Sequence, residues 1–127
     1  MKKKKEGKQP IKRALLALVV VFGIILIFAF IDFFIHSLSK EYSVPSYYFR
    51  NKIIFGTIIG FFSYMGVRNK KVWIKALAFS LTISVLLQIR YFLEGYPKDF
   101  VFLFLGIHFV ILLLVSWLIF RLANNKI

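Results

Sequence analysis

The chain has 127 residues, 60% of them hydrophobic and 18% charged, with 16 Phe and a formal net charge of +13. A soluble domain is about half apolar and about a quarter charged, so too little polar side chain is present here to cover a surface in water, and lipid is the natural solvent. The absence of cysteine excludes disulfides, thiolate nucleophiles and Cys-based zinc sites.

In a soluble protein this charge would suggest nucleic acid. Here it gathers at the ends of apolar runs, as Lys and Arg do in membrane proteins, and no nucleic-acid partner is expected. Residues 1–13 read as a basic cytoplasmic tail lying against anionic lipid. Four apolar runs follow, at about 14–35, 49–67, 72–93 and 100–120. Each approaches the ~20 residues that cross a ~30 Å hydrocarbon core, and in lipid each must be helical. The expectation is an all-α four-helix transmembrane bundle over residues 14–121, followed by a short tail at 122–127.

The first run ends without a small-residue cleavage site and reads as a retained span rather than a signal peptide. A loop with Pro45 and two tyrosines leads to the second run, where Gly56, Gly60 and Ser63 share one face. Small residues at this spacing let helix backbones approach closely, either within the chain or in a homodimer, with the intramolecular use favoured. The third run carries Ala76, Ser80, Ser84 and Gln88 four residues apart. Such a stripe suits interhelical hydrogen bonds or one wall of a wet path, and packing is the commoner use. A Gly/Pro turn, EGYPKD, leads to the fourth run, whose sole ionisable residue is His108.

Charge sets the expected orientation. Lys2, Lys3, Lys4, Lys5, Lys8, Lys12, Arg13, Arg68, Lys70, Lys71, Lys75, Arg121 and Lys126 fall on one side, against Lys40, Arg50, Lys52, Arg90 and Lys98 on the other. The bias puts both termini in the cytoplasm, in what reads as the cell membrane. Trp73 and Trp117 on the inside, and Tyr42, Tyr47, Tyr48, Tyr91 and Tyr96 on the outside, read as interfacial anchors.

Ionisable groups within spans are costly and face protein or water, so the candidate functional cluster is Asp32, His36, Gln88, Arg90, Glu94 and His108. Asp32 and Arg90 lie at matching depth, about 27 Å along their helices, so the two are expected to pair. His36 follows Asp32, and Glu94 follows Arg90, by four residues on the same helical faces. Asp32 and His36 have the spacing of two metal ligands, but a site needs a third, which only His108 or Glu94 could supply. Both histidines therefore read as hydrogen-bonded structural residues, and neither metal nor cofactor is expected. His108, about 12 Å below the outer end of its helix, reads as structural ahead of a proton relay.

No motif names a reaction, so catalytic residues are unknown. An accessory or structural membrane component leads, as a homo-oligomer or with a larger membrane-protein partner. A small oligomeric transporter or channel comes second. An outer-leaflet lipid-acting enzyme comes third, with Arg90 on a lipid phosphate and an Asp/His pair moving protons.

Overall fold

A computed structural model describes residues 9–127. Four helices account for nearly all of them: α1 (Gln9–His36), α2 (Tyr47–Val67), α3 (Val72–Leu93) and α4 (Lys98–Ala123), with one 3₁₀ turn at Lys40–Tyr42. Most of the expected basic tail lies outside the described residues. Its last part does not: the chain is helical from Gln9, with Pro10 in the first turn, where a missing N–H breaks no helical bond.

Each helix packs on its sequence neighbours, and α4 closes the ring against α1, with α3 and α4 in the most extensive contact. Short connections between such neighbours give an up-down-up-down bundle. One end, the loop end, carries the α1–α2 and α3–α4 connections. The termini end carries Pro10, the Arg68–Lys70 turn and Asn124, which line a common hollow.

The α3–α4 turn shows how local sequence sets this topology. Gly95 takes φ +86°, a backbone conformation that side chains with a Cβ resist. Its N–H donates to the Phe92 carbonyl and that of Tyr96 to the Tyr91 carbonyl, the pair of bonds that closes a helix C-terminus before a proline, here Pro97.

Helical periodicity selects the inner faces. Ala17, Val21, Ile24, Ile25 and Phe28 of α1 meet Tyr64, Phe79, Ile83, Leu112 and Phe120 in the main core. A second aromatic core of Tyr48, Tyr91, Phe100, Val101 and Phe104 fills the loop end. Gly56 and Gly60 are buried and used within the chain. A Cβ on Gly60 would lie 2.7 Å from Phe79 Cε2 and 3.1 Å from Val21 Cγ1, and one on Gly56 would lie 3.3 Å from Ile25.

The distribution of polarity is the reverse of a water-soluble bundle. Asp32, His36, Lys52, Lys75, Gln88, His108 and three serines are buried, while Phe30, Phe62, Phe102 and Leu122 stand exposed. Three helices are long and apolar enough to cross a membrane: Pro10–His36, Val72–Leu93 and Lys98–Ala123. Helix α2 is not among them, because Arg50, Asn51 and Lys52 occupy its first two turns and lower its hydropathy.

Candidate functional site

All four helices deliver a polar side chain to one buried layer near the loop end. Asp32 and His36 continue the inner face of α1 one and two turns beyond Phe28. Lys52 precedes Gly56 and Gly60 at four-residue spacing, so it shares the packed face of α2. Gln88 extends the Ala76–Ser80–Ser84 stripe of α3, and Tyr91 comes one turn later. His108 lies between Phe104 and Leu112 on the inner face of α4. Each of these side chains is at most 5% exposed.

Asp32 is the hub. Its Oδ2 accepts from the Lys52 ammonium, and its Oδ1 accepts from His108 Nε2 at 2.8 Å. His36 Nε2 lies 3.3 Å from the same Oδ1. The donors and acceptors fix the rest. His36 Nδ1–H donates to the Tyr42 carbonyl at 2.5 Å, which leaves its Nε2 to accept from the Tyr91 hydroxyl at 3.2 Å. His108 donates through Nε2, so its Nδ1 accepts from the Gln88 amide at 2.7 Å. Within the layer the Lys52 ammonium neutralises the Asp32 carboxylate. A buried charge is tolerable only in such company. Gln88 Oε1 is the one atom of the layer left without a partner.

Aromatic rings hold the imidazoles in place. Phe104 stacks on His36 with centroids 4.1 Å apart and planes 3° from parallel. Phe28 meets His108 edge-on at 5.3 Å.

No known protein family, curated protein or solved structure matches this chain. Its site must therefore be read from the residues alone.

Four of the six candidate cluster residues come together: Asp32, His36, Gln88 and His108. Arg90 and Glu94 do not join them. The expected Asp32–Arg90 pair does not form, because Lys52 takes the carboxylate from the packed face of α2. Arg90 falls between Gln88 and Tyr91 in sequence and so lies off the face they share. Its Nε is 3.9 Å from Glu94 Oε1, and its guanidinium covers the Tyr48 ring at 4.6 Å. His108 touches Asp32 directly, although residue counting put it deeper. Counting rise along an axis ignores helix crossing and side-chain reach.

Of the candidate packing serines, Ser80 and Ser84 serve mainly their own helix. Ser80 and Ser84 each donate to the carbonyl four residues back at 2.6 Å. Ser80 also meets Ser116 of α4 at 3.4 Å, and Ser63 meets Thr82 at 3.5 Å.

Sequence reasoning missed Lys52, Tyr91 and Tyr48. Lys52 was counted only among the basic residues of the outer side, and the tyrosines as interfacial anchors. Both tyrosines are buried, and they stack on each other at 5.8 Å. The signals were present in register: Lys52 lies on the glycine face, and Tyr91 lies three residues past Gln88.

Beside this layer, between α2 and α3, lies a cleft of about 250 Å³. Phe55, Ile59, Ile83, Leu86 and Leu87 line its length, and Tyr48, Asn51, Lys52, Arg90 and Tyr91 line its loop end. Phe55 and Leu86 are exposed on the outside of the bundle, so the cleft opens sideways. Lys52 thus belongs to both features.

Proposed function

We propose that this chain is a four-span integral membrane protein that binds an amphiphile with an anionic headgroup from the outer leaflet. The span count rests on α2. Its 21 residues reach about 31 Å, and it packs antiparallel between two helices that are themselves long enough to cross. The charge that lowers its hydropathy is partly illusory, since Lys52 is neutralised by Asp32 inside the bundle. The Lys/Arg bias supports cytoplasmic termini in a cell membrane. On that side, Arg13, Arg68, Lys70 and Lys75 surround a hollow of about 490 Å³ that suits anionic headgroups of the inner leaflet.

The cleft between α2 and α3 carries the functional reading. It is apolar along its length, opens sideways toward acyl chains, and has cations at the end nearest the outer interface. Its volume lies just below the ~300–1,000 Å³ of pockets for drug-sized ligands. Arg90 rests on the Tyr48 ring and has only a long contact to Glu94, so its guanidinium edge can bind a phosphate or carboxylate in a bidentate way.

Transport fits less well. Among the described residues the hydrogen-bonded layer stops at Gln88, and Phe79, Ile83 and Leu112 fill the bundle toward the termini end.

The test is lipid retention by the purified chain, read by native mass spectrometry, in bilayers mixing anionic and zwitterionic lipids. Retention of an anionic lipid, weakened by Arg90→Gln and by Leu86→Trp, which blocks the mouth of the cleft, supports the reading. Retention unchanged by both variants refutes it. If a larger membrane protein co-purifies and no lipid is retained, an accessory role takes its place.

A further inference from the structure

We propose that Asp32, His36 and His108 form a binding site for a first-row divalent transition metal, and that Lys52 occupies the metal's place when it is absent. The inference goes beyond the amphiphile reading and does not depend on it.

The argument begins with where ligand atoms point. Two helices bring three of them together: Asp32 Oδ1 and His36 Nε2 from α1, and His108 Nε2 from α4. All three lie within 4.8 Å of one another. Oδ1 is 3.3 Å from one nitrogen and 2.8 Å from the other. Bonds of about 2.0–2.1 Å in a tetrahedral site place neighbouring ligand atoms about 3.3 Å apart, which is the distance of Oδ1 from His36 Nε2 and about 0.5 Å more than its distance from His108 Nε2. The sequence offered two ligands at helical spacing; the fold supplies the third.

The outer contacts favour the same use. A metal-ligating histidine engages its other ring nitrogen with a carbonyl, carboxylate or amide, which fixes the ring and its tautomer. His36 Nδ1–H already donates to the Tyr42 carbonyl, so its Nε2 lone pair faces the centre. His108 Nδ1 meets the side-chain amide of Gln88. That amide presents a donor to His108 when Nε2–H is bonded to Asp32. Turned over, it offers Oε1, the atom now without a partner, to an Nδ1–H, and this frees Nε2 to ligate. Gln88 therefore serves both forms of the ring.

Lys52 supplies the independent observation that a cation belongs here. Its ammonium rests on Asp32 Oδ2 and lies 3.4 Å from His36 Nε2. Since Lys52 also lines the cleft, its flexible stem can move the ammonium there when the ion enters. Three protein ligands leave a fourth position open, with the Tyr91 hydroxyl beside it. Two imidazoles and one carboxylate suit Zn²⁺, Co²⁺ or Fe²⁺, and they disfavour Mg²⁺ and Ca²⁺, which prefer oxygen alone.

The test is Co²⁺ titration of the full chain, chelator-treated and held in lipid nanodiscs, followed by visible absorption. We expect one Co²⁺ per chain, with the intense bands of a tetrahedral site, displaced by Zn²⁺ and not by Mg²⁺. His36→Ala and His108→Ala abolish the bands. Gln88→Ala, which touches no metal, weakens binding about 10–100-fold. Should the histidine variants fail to fold, Lys52→Met decides the matter. Removing the competing ammonium tightens Co²⁺ binding about tenfold if the two cations share the site. No Co²⁺ bands, bands indifferent to the histidines, or affinity unchanged in Lys52→Met overturns the proposal.

Discussion

Replacing Asp32 by Asn removes the carboxylate that neutralises Lys52, whose side chain is 3% exposed, while nearly preserving shape. Breaking one partner of a buried ion pair costs about 3–5 kcal/mol, because the other charge is left buried and uncompensated. The reverse change, Lys52→Met, is milder. Asp32 keeps its contacts to His108 and His36. Its cost is therefore nearer the about 1–3 kcal/mol of an unmet buried polar group. With both changes no charge is stranded, and the new amide oxygen still accepts from His108.

The double variant is thus expected to be about 2 kcal/mol more stable than Asp32→Asn alone, although Lys52→Met by itself costs about 2 kcal/mol; the coupling is then about 4 kcal/mol, within the range measured for close charge pairs. Neutral hydrogen bonds between membrane helices average about 0.6 kcal/mol in such cycles, so the two cases separate cleanly. The assay is reversible unfolding in mixed micelles titrated with dodecyl sulfate. A coupling at or below about 0.6 kcal/mol would refute the assignment of Lys52 as the counterion. So would an equal coupling between Asp32→Asn and Arg90→Gln, which the geometry expects to be additive.

The remaining predictions use the same unfolding assay or simple labelling. Gly60→Ala costs about 1–3 kcal/mol, because its Cβ would meet Phe79 and Val21. Gly106→Ala has open space around it and is expected to stabilise by about 0.5–1 kcal/mol; equal effects at the two sites would contradict the packing. Ser84→Ala stays within about 0.5 kcal/mol, since its hydroxyl mainly serves its own helix. Gln88→Ala costs about 1–3 kcal/mol, because it leaves His108 Nδ1 unpaired in the core. The chain has no cysteine, so single introduced thiols report topology without background. A membrane-impermeant reagent applied to whole cells should label Ser43→Cys and spare Lys70→Cys, and the opposite pattern would invert the orientation.

Much of the site was legible, in an uneven way. Asp32, His36 and His108 stand out because an ionisable group in an apolar run has few reasons to be there. Gln88 stood out as the polar end of a small-residue stripe. Lys52 was hidden by position: it lies close enough to the start of α2 to be taken for an interfacial cation, and only its register with Gly56 and Gly60 marks it as inward. Tyr48 and Tyr91 were hidden by type, since tyrosine near a span end is so often an anchor. Arg90 misled through depth, because equal height on two helices says nothing about which way each side chain turns.

Apolar runs of about 20 residues, twice the length a barrel strand needs, marked the described residues as helical, because only helices and closed barrels satisfy their backbone hydrogen bonds away from water. Four apolar runs, a Gly/Pro turn and short connections then left an antiparallel bundle as the natural packing. Which cation neutralises Asp32, and that three ligand atoms from two helices share one point, was decided only by the tertiary structure. Those facts depend on the rotation of each helix about its own axis. That rotation is set by the packing of Gly60 against Phe79 and of Phe104 against His36, contacts between residues far apart in the chain.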